Sequence, residues 1–379
     1  MDLTHAPADE EFRAEARAWL RAHVPAVPLP SLETAEGFAA HRVWEAELAV
    51  DHWSVVSWPP EYGGRGEGLM RWLIFEEEYY AAGAPGRVSQ NGISLLAPTL
   101  FDHGTDEQRA RVLPPMARGE VIWAQAWSEP EAGSDLASLT SRAVRTDRGW
   151  LLSGLKTWSS RAAFADRAFG LFRTDPGLPK PHQGLTYLMF DLRAPGVTVR
   201  PIGRLDGKPA FAELFLDEVF VPDEDVIGAP GEGWRIAMST AGNERGLTLR
   251  SPGRFLACAD RIRELWRTQG SPESARAQVA DALIGARAYQ LFTYAAASRF
   301  LDGETLGPRS SLNKVFWSEY DLALHETALD LLGDEGERAD GAWAEGYVFS
   351  LAGPIYAGTN EIQRDIIAER LLGLPKGRR

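Results

Sequence analysis

Over residues 9–24 the apolar side chains Phe12, Ala16, Trp19 and Leu20 recur at helical spacing, and Pro25, Pro28 and Pro30 end the run. The same period marks helices over 38–52, 70–82 and 106–116, separated by turns such as "WPPEYGGRGEG". The first third is expected to be an all-helical layer, with no strands. The period then changes. "RAVRTDRGWLLSGLKTWS" alternates about a turn at Arg148 and Gly149, and "GLTYLMFDL", "VTVRPI" and "FAELFLDEVFV" are short runs of strand type. From Trp234 onward helical spacing returns in three or four long segments, broken at "TLGPRSSLNK", with a last amphipathic helix over 362–372. This order predicts an α+β fold with an N-terminal helical domain (1–121), a middle β domain (122–230) and a C-terminal helical domain (231–379).

With 379 residues, 44% of them hydrophobic, the chain can fill a full core. Lys and Arg number 40 against 53 Asp and Glu, a net charge of −13, which disfavours nonspecific binding to nucleic acid or to an anionic membrane. Cys258 is the only cysteine, so an intramolecular disulfide and a cysteine-based zinc cluster are excluded, and a buried, inert thiol is expected. The acidic start "MDLTHAPADEEF" lacks the basic and apolar run of a secretory signal, and no stretch has the length of a membrane span. A cytoplasmic protein is expected. The seven histidines are scattered, and His325-Glu326 lacks the second histidine of a zinc-binding helix, so no metal is expected and the histidines are read as exposed or capping. No G-x-G-x-x-G follows a strand and no P-loop is present; "GGRGEG" at 63–68 lacks the spacing and the strand. A nucleotide would need another cradle.

Three stretches carry candidate chemistry. "QAWSEPEAGSDLASL" (125–139) packs Ser128, Gly133, Ser134 and Asp135 around a turn whose hydroxyls and N–H groups could hold a planar polar ring or a phosphate, or could simply cap a surface turn. "GLKTWSS" (154–160) sets Trp158 among hydroxyls, as a core residue or as a shelf for a cofactor. "IYAGTNE" (355–361) is a loop of small residues that would let a ligand approach closely.

Together with "WPPEYGGRG", "HGTDEQRARVLPPMARGE", "GVTVRPIG", "ELFLDEVFVP", "GEGWRIAM", "LDLLGDEG" and the tail "NEIQRDIIAERLLGLP", these stretches resemble the acyl-CoA dehydrogenases over nearly the whole chain. The resemblance implies FAD as cofactor, an acyl-CoA substrate and an electron-transfer flavoprotein as electron acceptor. It implies that the C-terminal domain is a four-helix bundle, with the flavin wedged between it and the β domain. Trp127, Ser128, Trp158 and Ser160 would line the flavin. Ser134 would lie at the cofactor near the thioester end of the ligand. Tyr356 and Gly358 would meet substrate, and Thr359 and Glu361 the cofactor.

The implied reaction takes the α proton of an acyl thioester while the β hydrogen leaves as hydride to flavin N5, giving the trans-2-enoyl-CoA. So weak an acid needs a carboxylate base and donors to the enolate oxygen, each donor contributing about 3 kcal/mol. In most of the family one loop glutamate supplies both carboxylate and N–H. Here that position is Ala357, which keeps the N–H to offer the thioester oxygen but has no base. A branch of the family, isovaleryl-CoA dehydrogenase included, carries the base on the first helix of the bundle, eleven residues after the glycine of a GxGW-like entry and directly before an arginine. Counting from Gly233 in "GEGWRIAMSTAGNERG" gives Glu244, followed by Arg245 as an electrostatic support or a substrate contact.

The chain departs from the family where many members clamp the FAD pyrophosphate and adenine. Leu306-Gly307 replaces Phe-Gly, Lys314 stands where an amide is common, and Asp334 stands where a second glycine is common. This divergent pattern is similar to bacterial acyl-CoA dehydrogenases acting on steroid side chains and other bulky or branched acyl groups, some of them heterotetramers with one catalytic subunit type. A homo- or heterotetramer, or a dimer, is implied. Two alternatives stay open: a flavin monooxygenase or oxidase on the same fold, or a noncatalytic partner subunit of a heteromeric dehydrogenase.

Overall fold

The structure, a computed structural model, describes residues 6–244, 251–304, 307–338 and 340–377, the side chains of Asn243 and Glu244 excepted. Its α-helices are α1 (Pro7–His23), α2 (Ala35–Val50), α3 (Leu69–Ala81), α4 (Ala97–His103), α5 (Asp106–Ala117), α6 (Gly233–Glu244), α7 (Pro252–Thr268), α8 (Arg276–Leu301), α9 (Arg309–Leu332), α10 (Ala342–Ser350) and α11 (Asn360–Ile366). Its strands are β1 (Trp123–Ala126), β2 (Arg142–Thr146), β3 (Gly149–Ser160), β4 (Arg167–Arg173), β5 (Leu185–Asp191), β6 (Val197–Ile202), β7 (Phe211–Pro222) and β8 (Val226–Ile227). They form two compact units. A helical unit takes residues up to 26, 68–84 and those after 244; a sheet unit takes 27–67 and 85–244.

In the helical unit, α1 begins at Pro7, whose missing N–H is no loss in a first turn, with Asp9 and Glu10 at the positive end of the helix. Phe12, Ala16 and Leu20 form its buried face, and α1 packs on α3. Arg13 reaches Glu77 (3.1 Å) and Glu78 (2.9 Å), and Arg17 grips Glu78 through two bonds of 2.7 and 2.9 Å. Burial alone would raise the Glu78 carboxyl, but the bonds from Arg17 and Arg13 outweigh it and hold it below the usual range. Helix α7 crosses α3 backbone to backbone at Gly253, where a Cβ would lie 2.6 Å from the Glu76 carbonyl oxygen. Phe255, Ile262, Val279, Tyr289, Trp317 and Leu324 fill the space among α7, α8 and α9. Cys258 is buried here, its thiol pushed up to about 11 by burial, as an inert core residue should be.

The sheet unit is built on the order β6-β7-β3-β2-β4-β5-β8, with β1 parallel to β4. The long pair β3 and β7 carries two register shifts. One gives β7 an extra residue near Glu218, and the other gives β3 an extra residue between Lys156 and Ser159. Trp150, Leu152, Phe172, Leu188, Phe190, Leu214 and Val219 form the core under the sheet.

The expected α+β architecture stands, and its differences from the sequence reading have local causes. Strand β4, "RAFGLFR", was not expected: it is buried on both faces, so its apolar residues do not alternate. Strand β1 is only four residues long. The stretch 92–103 was not read as helix; it runs as a π-helical turn (Gly92–Leu96) into α4, with Pro98 in the first turn, which blurs the 3.6-residue period. The last helix begins at Asn360 rather than 362 and widens to a π-turn over Ile367–Leu371. His41 and His325 are neither exposed nor capping. Both are buried, each with Nδ1 2.8 Å from the carbonyl oxygen four residues earlier, and burial lowers their pKa. "GGRGEG" is a packing turn: Arg65 lies over the Trp53 ring, 3.9 Å from its centroid. Among the described residues no helix is long and apolar enough to cross a membrane.

Candidate active site

In the sheet unit, β1 ends at Ala126 and the chain turns through Trp127, Ser128 and Glu129 beside the bulge of β3. Thr157 donates its N–H to the Ser128 carbonyl (2.9 Å), joining the two predicted stretches directly. Beneath the junction lies a buried ion pair. Lys156, with no exposed surface, donates to Glu129 Oε1 (2.8 Å), the Leu171 carbonyl (2.8 Å) and the Trp127 carbonyl (3.3 Å). The Glu129 carboxylate also accepts from the Thr140 N–H (2.6 Å) and hydroxyl (2.8 Å) and from the Ser141 N–H (2.9 Å).

Burial would raise the Glu129 carboxyl, but Lys156 and the surrounding donors bring it down to about 2. Burial lowers Lys156 to about 8 despite its partner. The two shifts oppose each other, since the ion pair favours the charged Glu129 while burial disfavours the charged Lys156. The pair therefore fixes geometry more than it adds stability, and what it fixes is the backbone of 127–129 against 156–158.

Above this pair stands Trp158. It is 59% exposed and adopts φ +58°, so it is a shelf and not a core residue. Phe211 supports it edge-on, 5.9 Å between ring centroids. The hydroxyls of Ser128, Ser134 and Ser160 make no hydrogen bond among the described residues; Ser134 is exposed, and Ser128 and Ser160 are half-buried. The Ser159 hydroxyl is buried and unpartnered among the described residues. An exposed indole shelf with the unengaged hydroxyls of Ser128 and Ser160 on the two joined segments is a surface that fits a planar, polar ring system such as a flavin.

Trp127 connects this shelf to α6. Its indole N–H donates to the Tyr187 hydroxyl (3.1 Å), which lies 3.5 Å from the Thr240 hydroxyl. Thr240 is fully buried, 2.6 Å from the Thr99 hydroxyl just after the π-turn. Glu244 is the last residue of α6, one turn beyond Thr240. Its side chain, and all of Arg245, lie outside the described residues. Arg235, on the same helix, pairs with Glu232 (3.2 Å).

The helical unit carries the other predicted residues. Tyr356 packs on Trp317, 5.8 Å between ring centroids, and its N–H donates to the Ala352 carbonyl (3.1 Å). Ala357 takes φ +58° and Gly358 φ +77°. The Ala357 N–H makes no hydrogen bond among the described residues. Thr359 caps α11 by accepting from the Ile362 N–H (3.3 Å). Glu361 is exposed in the first turn, where its own N–H and the Thr359 hydroxyl hold its carboxyl below the usual range.

Sequence reasoning missed what holds this loop. Asn360 is buried; its Oδ1 accepts from Lys314 Nζ (2.8 Å) and the Ser318 hydroxyl (3.0 Å), and its N–H donates to the Pro354 carbonyl (2.8 Å). Gln363 donates to the carbonyls of Ala357 and Gly358. Glu129, Lys156, Tyr187 and Thr240 were missed as well. Lys314, noted only as a departure, is the fully buried ammonium under Asn360. Asp334 lies in an exposed 3-10 turn, and Leu306 is outside the described residues.

Family models named for the N-terminal, middle and C-terminal domains of acyl-CoA dehydrogenase match residues 6–120, 124–219 and 231–372. The acyl-CoA dehydrogenase IpdE1 of Mycolicibacterium smegmatis is 37% identical over 97% of this chain and 98% of its own length. Two solved structures are similar over the whole of both chains. One is described as the Tcur3481-Tcur3483 steroid ACAD (27% identity, TM-score 0.89), the other as the ChsE4-ChsE5 complex from Mycobacterium tuberculosis (30% identity, TM-score 0.83). Taken with the shelf at Trp158 and the open loop at Ala357, these matches show that the chain belongs to the acyl-CoA dehydrogenase family of oxidoreductases.

Proposed function

We propose that this protein removes the α and β hydrogens of an acyl-CoA thioester to give the trans-2-enoyl-CoA, with Glu244 as base and the Ala357 N–H as donor to the thioester oxygen. The observation that carries this reading is the Ala357 loop: a left-handed residue with no carboxylate and an N–H unpartnered among the described residues. A donor aimed at a developing enolate oxygen contributes about 3 kcal/mol to the barrier reduction. The base must come from elsewhere, and Glu244 ends α6, a helix anchored one turn earlier by the Thr240 and Thr99 hydroxyls. Arg245, next in the chain, would support that carboxylate or meet substrate.

FAD, when bound, would supply the acceptor for the β hydrogen as hydride. Trp127, Ser128, Trp158 and Ser160 would hold its ring, Ser134, Thr359 and Glu361 would complete the contacts to it, and Ser134, Tyr356 and Gly358 would border the thioester. The names of the similar structures favour a steroid side chain or another bulky acyl group and a heteromeric assembly in which this chain, having Glu244, is the catalytic partner. An electron-transfer flavoprotein would take the electrons onward, and the single cysteine fits a cytoplasmic setting. The test is anaerobic addition of straight-chain, branched and steroid-side-chain acyl-CoA thioesters to the purified holoprotein. Flavin reduction with formation of the enoyl thioester is expected, strongest for a bulky acyl group. A protein that binds no flavin, or that is reduced without forming an enoyl product, contradicts the reading.

A further inference from the structure

The Ala357 loop contains a device that the proposed reaction requires and that no family motif above assigns. A non-glycine residue in the left-handed region is strained, so Ala357, at φ +58°, must be held there. Upstream, the Tyr356 N–H is fixed on the Ala352 carbonyl (3.1 Å). Downstream, the Gln363 Nε2 donates to the Ala357 carbonyl (3.1 Å) and the Gly358 carbonyl (3.2 Å). Gln363 has no exposed surface, and its Oε1 has no partner among the described residues. The approach is so close that a Cβ on Gly358 would lie 2.4 Å from Nε2. Both flanking peptides are thereby fixed, and the N–H between them is left unengaged among the described residues.

Resting on the reading of Ala357 as the thioester donor, we propose that Gln363 is a positioning residue: its amide clamps two carbonyls and so fixes the direction of the Ala357 N–H. A neutral donor suits the place. A carboxylate there would face two carbonyl oxygens and could act as a donor only when protonated, a state that burial favours.

The test compares wild-type, Gln363→Met and Gln363→Glu holoprotein by steady-state kinetics across about pH 5.5 to 9, with the acyl-CoA of highest activity, and by crystal structures of all three. In Gln363→Met, kcat is expected to fall about 30-fold or more with KM changed less than about threefold, and Ala357 is expected to leave the left-handed region. In Gln363→Glu, the deficit should shrink as pH falls, approaching wild type within about threefold at the acid end. The proposal is overturned if Ala357 keeps its positive φ in Gln363→Met, if Ala357 moves while kcat is unchanged, or if the Gln363→Glu deficit does not vary with pH. Should Gln363→Met fail to fold, the volume-conserving Gln363→Glu carries the decision. Should wild type oxidise no acyl-CoA, the proposed function fails while the loop conformation in the variants still decides the clamp.

Discussion

The Trp158 shelf and the Ala357 loop both hold non-glycine residues at positive φ, yet they are secured by opposite means. The shelf rests on a full buried ion pair, Lys156 with Glu129, whose lysine also grips two backbone carbonyls. The loop is held by the neutral Gln363 amide on two of its carbonyls and by Asn360, whose side chain lies between the Lys314 ammonium and the Glu319 carboxylate. Ion pairing joins two segments distant in sequence at little net gain in stability, whereas the neutral Gln363 amide fixes two peptide planes directly.

The comparison breaks most visibly at Lys156. Lys156→Met leaves Glu129 buried without its cation and should destabilise the protein by about 3 to 5 kcal/mol in urea unfolding. The double variant Lys156→Met with Glu129→Gln should recover most of that loss; a double variant as unstable as the single one would mean that the pair stabilises outright.

Acid sharpens the contrast. The Glu129 carboxyl lies at about 2, below its ordinary 4.5, so its stabilisation is fully present above pH 4.5 and is lost as pH falls toward 2, about 3 kcal/mol in all. Unfolding free energy of wild type should therefore fall across that window by about that much more than in the double variant. Parallel curves would contradict the assignment.

At the loop the effects are smaller. Thr359→Ala removes the cap of α11 and should cost about 1 kcal/mol, measured as a shift in the urea midpoint at neutral pH.

These two regions also show what the sequence discloses. The order of helices and strands was legible because α1 and α7 show a helical period and β7 alternates on both sides of its bulge. Strand β4 was not, because burial on both faces erases alternation. Trp158 could be placed beside hydroxyls but could not be assigned to shelf or core until the bulge in β3 was seen to turn it outward. Glu129 and Lys156 hid in plain view: charged residues in loops and half-polar strands read as solvent-facing, and only the three-dimensional junction shows both buried. Asn360 and Gln363 are polar positions in a short terminal helix, where no periodicity distinguishes a carbonyl clamp from an exposed amide. The empty centre of the loop, Ala357, was legible through the resemblance to acyl-CoA dehydrogenases, most of which carry a glutamate there, and with it the need for a base elsewhere.

That need is the central claim, and Glu244→Gln tests it most directly. In anaerobic stopped-flow mixing with the most active acyl-CoA, the variant should bind substrate and flavin as wild type does, while the flavin is reduced about 1,000-fold or more slowly, the effect of losing a positioned base. Flavin reduction within about threefold of the wild-type rate would show that Glu244 is not the base.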